Sequence, residues 1–310
     1  MGVMRSVLLA GSESVWLREH AVRWRFVRGA TKRFMPGERL EDALGAAREL
    51  APQGIAAILT HLGENVADEA EARAVADHYI RAQEQVRVAG VDAEMSVKLT
   101  QLGLDLGAEA CYANLRRIAE HAATVGRTVW IDMEGSAYTD VTLDIHRRLK
   151  QEGHSVGVAV QAYLRRTNAD LDTLIPLGAA VRLVKGAYKE PASIAFPTRA
   201  EVDESFFQLG ARLLGAEARA AGVFLGLGTH DPVLIRRFEA HVAEQGLPKD
   251  GFEFEMLYGI RREEQQRLAT DGYRIRVLVS YGDYWFPWYM RRLAERPANV
   301  WFVVKNIFGR

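Results

Sequence analysis

The chain has a single cysteine, Cys111, in 310 residues, so it can form no internal disulfide and no cysteine-based zinc or iron–sulfur centre. That usage fits a reducing, cytoplasmic setting. No stretch approaches the ~18 consecutive apolar residues of a membrane span, and the N-terminal apolar run, Val7 to Ala10, is too short for a signal-peptide core. Net charge is also lacking: 40 basic side chains face 40 acidic ones, which argues against a nucleic-acid partner and against an acidic disordered chain. Several catalytic devices are missing too. There is no Walker A loop, and Gly226 and Gly228 supply only a fragment of a dinucleotide-binding glycine motif. No nucleophile elbow occurs, and no two histidines have the helical spacing of metal ligands.

What is present is ordinary globular composition, 48% hydrophobic and 26% charged, with its charges unevenly placed. Residues 1–35 carry seven Lys/Arg against two Asp/Glu, and residues 261–310 carry ten against five. Both ends are basic and the body between them is acidic. The N-terminal excess falls on residues 16–33, WLREHAVRWRFVRGATKR, whose tryptophans and arginines suit either packing on the rest of the protein or peripheral contact with the inner face of an anionic membrane.

Eight short runs rich in β-branched and apolar residues recur: Ile55–Leu59, Ala93–Leu99, Thr128–Ile131, Val156–Val160, Val181–Val184, Val223–Leu227, Phe252–Met256 and Ile275–Val279. Apolar on both faces, they suit strands buried in a parallel sheet. Between them lie segments with helical spacing of Ala, Val and Ile, including Asp68 to Val86, Ala108 to Ala123 and Glu201 to Ala220. Pro232–Glu244 follows Asp231, an N-cap with proline at the first helical position. Strand and helix alternating eight times predict a (β/α)8 barrel, with an open doubly wound sheet as the alternative. Two helices, Val15–Arg28 and Leu40–Leu50, precede the first strand as an N-terminal extension (residues 1–52), leaving 53–310 for the barrel. A last helical segment, Trp285–Glu295, follows the eighth strand.

Chemistry in such a barrel sits past the carboxyl ends of the strands, and there the chain is unusually polar. It places Thr60 and His61, Lys98 and Thr100, Asp132 and Glu134, Gln161, Lys185 with Gly186 and Tyr188, Thr229 with His230 and Asp231, Glu255 with Tyr258, and Ser280 with Tyr281 at successive strand ends. Arg182 lies inside its strand, where a guanidinium is costly unless an anion meets it. Arg291 and Arg292 are adjacent on the final segment and reach one carboxylate only if that helix crosses the rim. These residues define an anion-binding barrel site. A lysine Schiff-base enzyme using Lys98 or Lys185 satisfies the same facts.

The order of these blocks resembles the proline dehydrogenases, specifically the flavin-dependent, monofunctional bacterial type. The likeness rests on HLGENV (61–66), SVKLTQLG (96–103), WIDMEG (130–135), VQAYLRRT (160–167), VRLVKGAY (181–188), EPASIAF (190–196), GTHD (228–231), FEFEMLYGIR (252–261) and WYMRRLAERPAN (288–299). The resemblance implies a distorted barrel whose final helix covers the active site. It implies oxidation of L-proline to 1-pyrroline-5-carboxylate by hydride transfer from C5 to N5 of FAD, with a quinone as electron acceptor and a separate pyrroline-5-carboxylate dehydrogenase downstream. By the same resemblance Lys98, Arg291 and Arg292 clamp the substrate carboxylate, Arg182 lies beside flavin N5 and Asp132 orients that part of the site. Met133, Gln161, Lys185, Gly186, Ala187, Thr229, His230 and Glu295 fall on cofactor-binding positions, while Tyr258 and Trp288 shape the pocket. The chain departs from the family pattern at Leu278, where a tyrosine is usual, and at Ser280, Glu255, Thr60 and Gly135, where proline, glutamine, aspartate and an acidic residue are common. An apolar Leu278 implies proline or a similar unsubstituted cyclic amino acid as substrate, with hydroxyproline disfavoured. Oxidation of a different cyclic secondary amine is the alternative.

Overall fold

The computed structural model describes residues 34–63 and 65–285. Eight parallel strands close into a barrel in sequence order: β1 Ala56–His61, β2 Ala93–Val97, β3 Val129–Ile131, β4 Val156–Gln161, β5 Ala180–Val184, β6 Phe224–Gly228, β7 Glu253–Leu257 and β8 Arg274–Tyr281. β8 closes on β1 over six residue pairs, from Ala56↔Arg276 to His61↔Tyr281. Each expected strand run is therefore a strand, and the open-sheet alternative falls.

The helices obey the local signals. Among the described residues they are α1 Leu40–Leu50, α2 Glu69–Ala89, α3 Ala108–Thr124, α4 Thr139–Gln151, α5 Thr167–Leu174, α6 Arg199–Leu213, α7 Ala216–Ala220, α8 Pro232–Glu244 and α9 Arg262–Thr270. Asp68 caps α2 by accepting the Glu71 N–H, and Asp231 caps α8 by accepting that of Val233. The helix expected over Glu201 to Ala220 is two helices, broken at Leu214–Gly215, where glycine serves as N-cap of the short α7. The expected helix at Val15–Arg28, the membrane-contact segment and most of the final helix lie outside the described residues.

α1 has an unusual station. It packs against β1 and β8, burying Leu40, Ala43, Leu44, Ala46, Ala47 and Leu50 and covering the outer wall at the seam where the barrel closes. These residues are continuous with the core formed by outward-facing strand residues such as Leu59, Met95, Val158, Leu183, Leu227, Phe254 and Val277.

The barrel interior overturns the expectation of strands apolar on both faces. Outward positions are apolar, but the alternate positions, Glu94 and Ser96, Trp130, Arg182, Glu253 and Glu255, and Arg276, meet across the lumen. At its amino-terminal end Arg276 donates from Nε to Glu253 at 3.1 Å and from Nη1 to the Ala57 carbonyl at 3.3 Å. Glu94 accepts a 2.6 Å hydrogen bond from the Trp130 indole. Burial raises the Glu253 carboxyl, opposed by Arg276 and reinforced by Glu94. The runs look uniformly apolar because Gly and Ala, as in VGVAV (156–160), stand between the branched residues.

This packing makes stability testable at two points. Arg276→Met leaves Glu253 buried without its main counter-charge and should cost about 3–5 kcal/mol in denaturant unfolding; a cost below 1 kcal/mol would show that the pair is dispensable. Burial also holds His78 and His146 down to about 4, aided at His78 by His61 and Arg81 and at His146 by Lys150. Both rings stay neutral in the fold, so the unfolded chain binds more protons at acid pH. Stability should be complete above about pH 6.5 and fall as pH is lowered toward about 4, and His146→Leu should flatten that fall.

Candidate active site

At the carboxyl-terminal end of the lumen the centre is Arg182, projecting from β5. Its side chain is 5% exposed, against 4% for Glu255 and 22% for Asp132. The guanidinium donates from Nε to Glu255 and from Nη1 to Asp132 at 3.0 Å and to the Ser96 hydroxyl at 2.8 Å. Ser96 passes the interaction on by donating to Asp132 at 2.7 Å. Beneath, the Trp130 ring lies 4.6 Å from the guanidinium carbon, a cation–π stack that separates this layer from the Arg276 layer. Two glycines make room. A Cβ on Gly157 would fall 2.5 Å from the Trp130 ring, and one on Gly226 would fall 2.1 Å from Glu255 Oε1.

The other expected residues occupy the rim around this cluster. Lys98 follows β2 directly and is half-buried, as are Leu278 and Tyr258. The Tyr258 N–H donates to the Leu278 carbonyl at 3.0 Å, tying the ends of β7 and β8, and Arg262 lies over the Tyr258 ring. Gln161 donates from its amide nitrogen to the Met133 and Glu134 carbonyls, which joins β4 to the β3 loop. Thr229 accepts from the Asp231 N–H, and His230 accepts at Nε2 the N–H of Leu257 at 2.7 Å, which puts its proton on Nδ1. Lys185 is bound by Asp203 and, at 3.1 Å, by Asp231, which Arg199 also holds. Against the cost of burial, these two cations bring the Asp231 carboxyl down to about 2. Gly186 has φ +109, and its Cβ position is taken by the Tyr163 ring at 2.2 Å, so this glycine is required by a protein side chain. Ala187 beside it is exposed. Trp288, Arg291, Arg292 and Glu295 lie outside the described residues.

The structure thus joins Arg182 directly to Asp132 and links Lys185 to the Thr229–His230–Asp231 turn. It adds Ser96, Trp130, Asp203 and Arg199, which were not among the expected site residues, and sets Glu255, expected at the end of its strand, against Arg182. Alternation along AEMSV (93–97) could have exposed Ser96, and along EFEM (253–256) the inward setting of Glu255; nothing comparable marks Trp130 in the short run VWI (129–131). Asp203 and Arg199 read as a helix-surface pair four residues apart.

Several buried polar atoms in this region have no hydrogen-bond partner among the described residues: Arg182 Nη2, Gln161 Oε1, Glu255 Oε1 and the Ser280 hydroxyl. Such atoms are expensive to leave unmet. A guanidinium donor and an amide acceptor fit a planar heterocycle carrying both acceptors and donors, as the flavin of FAD does.

A closed parallel barrel with ionised groups gathered at its carboxyl-terminal mouth has the layout of a barrel enzyme. A profile of the proline dehydrogenase family matches residues 43–305. Proline dehydrogenase 1 of Bacillus subtilis (strain 168) is 40% identical over 308 residues, covering 99% of this chain and 100% of its own. The proline dehydrogenase of Deinococcus radiodurans is 38% identical over 281 residues, 89% of each chain. Among solved structures, proline utilization A from Bdellovibrio bacteriovorus inactivated by N-propargylglycine shares the fold at TM-score 0.80 and 22% identity, over 87% of this chain and 33% of that one. A proline utilization A from Bradyrhizobium japonicum matches at TM-score 0.73 and 26% identity, over 90% and 32%. The chain spans about a third of those solved chains. It belongs to the proline dehydrogenase family, a family of oxidoreductases.

Gly226→Ala tests the upper cluster. The added methyl must displace Glu255 from Arg182, so unfolding should show a loss on the order of 3–5 kcal/mol, the cost of breaking a buried pair. A neutral effect would mean that Glu255 moves aside freely.

Proposed function

We propose that this chain oxidises L-proline to 1-pyrroline-5-carboxylate with FAD as its cofactor and a quinone as the final electron acceptor. The observation that carries the reading is Arg182: a buried guanidinium held by Asp132, Ser96 and Glu255, with Nη2 unmet, in a chain collinear with proline dehydrogenases. Met133, Gln161, Lys185, Gly186, Ala187, Thr229, His230 and Glu295 would hold the cofactor. Bound there, FAD supplies at N5 an acceptor for the hydride leaving substrate C5.

The protein's part is positioning and charge. Lys98, Arg291 and Arg292 fix the substrate carboxylate, which aligns the ring and favours an amine free to lose its proton. Arg182 stabilises negative charge that builds up beside it, and Asp132 and Ser96 keep it from rotating. Tyr258 and Trp288 shape the pocket, and Leu278 gives it an apolar wall. The place given to Arg291 and Arg292 over the mouth rests on the family resemblance. The product would pass to a separate pyrroline-5-carboxylate dehydrogenase, as the family resemblance implies.

The flavin-free Schiff-base reading finds less support, because Lys185 is engaged by two carboxylates instead of standing in an apolar pocket. Oxidation of another cyclic secondary amino acid is favoured only by Leu278, which widens the wall where the family usually has a tyrosine.

Purified protein should be yellow, bleach anaerobically on addition of proline and recover colour with a quinone. Protein that stays colourless after incubation with FAD would defeat the flavin reading, and flavin that proline leaves oxidised would defeat the substrate. Proline should be turned over more efficiently than hydroxyproline; equal kcat/KM for the two would remove the role given to Leu278. Arg291→Met and Arg292→Met should each mainly raise KM, by about 1.5–3 kcal/mol for a charged hydrogen bond, and unchanged KM in both would refute the clamp.

A further inference from the structure

Glu255 is the least exposed charged group of the mouth cluster and the one whose hydrogen bonding is half complete. One carboxylate oxygen accepts from Arg182 Nε. The other, Oε1, is buried with no partner among the described residues and stands over Gly226, where any side chain would collide with it. Every element around it contributes to its surroundings. β5 supplies Arg182, β7 supplies Glu253 two residues away, and β8 supplies Arg276 in register with Glu255. β6 offers only Gly226, while Asp132 from β3 and Ser96 from β2 act through the shared guanidinium. Arg182 therefore faces two carboxylates, one of which, Asp132, suffices to balance it. A second ionised carboxylate overcompensates this cation, whose Nη2 is buried with no partner among the described residues.

We propose that Glu255 is a charge-regulating, positioning residue of this site: ionised, it shares Arg182 with Asp132; protonated, it keeps Arg182 oriented through Nε while returning its positive charge to an anion brought against the guanidinium. The carboxyl is suited to the exchange. Burial, opposed by Arg182 and reinforced by Glu253, pushes it up to about 7. An anion beside Arg182 competes for the same cation and raises Glu255 further, so Glu255 takes one proton from solvent as that negative charge arrives. No bond to carbon forms or breaks at Glu255; the proton adds to a carboxylate oxygen, and the cluster's net charge is unchanged after both events.

This rests on the flavin reading, in which the negative charge arises on two-electron reduction of the bound cofactor. The test is the midpoint potential of the FAD-loaded protein against pH, in the wild type and in Glu255→Gln. Glutamine still offers an oxygen to Arg182 Nε but cannot titrate, and by the family resemblance it is a residue this position accepts. Above about pH 7 the wild type should consume two protons per two electrons, and Glu255→Gln one, so the wild-type slope should be twice that of the variant. In the upper part of that range the variant should also have the higher potential. Identical slopes and potentials would overturn the inference while leaving the flavin reading intact; failure of the wild type to bind FAD would overturn both. If Glu255→Gln does not fold, the wild type alone decides: a slope of one proton per two electrons from pH 7 to 9 excludes proton uptake at Glu255.

Discussion

The arginine at the centre of the barrel is the constraint to which the other parts conform. A guanidinium with 5% of its side chain exposed is tolerable only with counter-charges and hydrogen bonds in place before it is enclosed. Three other strands meet that requirement. β2 brings Ser96, β3 brings Asp132 and the Trp130 face, and β7 brings Glu255. Glycine at 157 and 226 leaves the space these groups occupy. A one-residue change in strand register would turn one of these groups to the outer surface and strand the cation, so the polar lumen specifies the barrel closure as well as the site.

The lumen contains two charged layers with an indole between them. Arg276, Glu253 and Glu94 form the lower layer, and Arg182, Glu255 and Asp132 the upper. The lower layer is remote from the mouth, and its work is structural. The upper layer has atoms still unmet, which is where chemistry can enter. Field strength at the upper layer depends on the lower one, because Glu253 and Arg276 both act on Glu255.

Legibility in the sequence depended on the kind of signal each part emits. The strands were readable because clusters such as VRLV and LVS stand out between Ala- and Glu-rich helices, α2 because its Ala, Val and Ile recur at helical spacing, and α8 because Asp231 caps it ahead of a proline. The rim residues Asp132, Gln161, Lys185 and Thr229 were readable from their positions at strand ends. Which partner each would find was not. Nothing local tells that Lys185 binds Asp203 of α6, or that Glu255 lies against Arg182 across 73 positions of chain. On β4 and β6 the alternation was hidden by glycine and alanine, whose small side chains disguise it as a continuous apolar run, whereas on β2 and β7 the polar residues alternate openly within strands of only five residues. Arg291 and Arg292 were legible as a pair, and their reach depends on the path of the chain after β8.

The position of α1 also limits how the chain can change over time. A helix that comes before the first strand packs on both the first and the last strand, so the seam of the barrel is lined by residues from outside the repeating strand–helix pattern. Its small buried residues Ala43, Ala46 and Ala47 are therefore tied to the spacing of two strands at once. A larger side chain at any of them would have to be matched by a change in β1 or β8, so these alanines must vary together with the strands they cover.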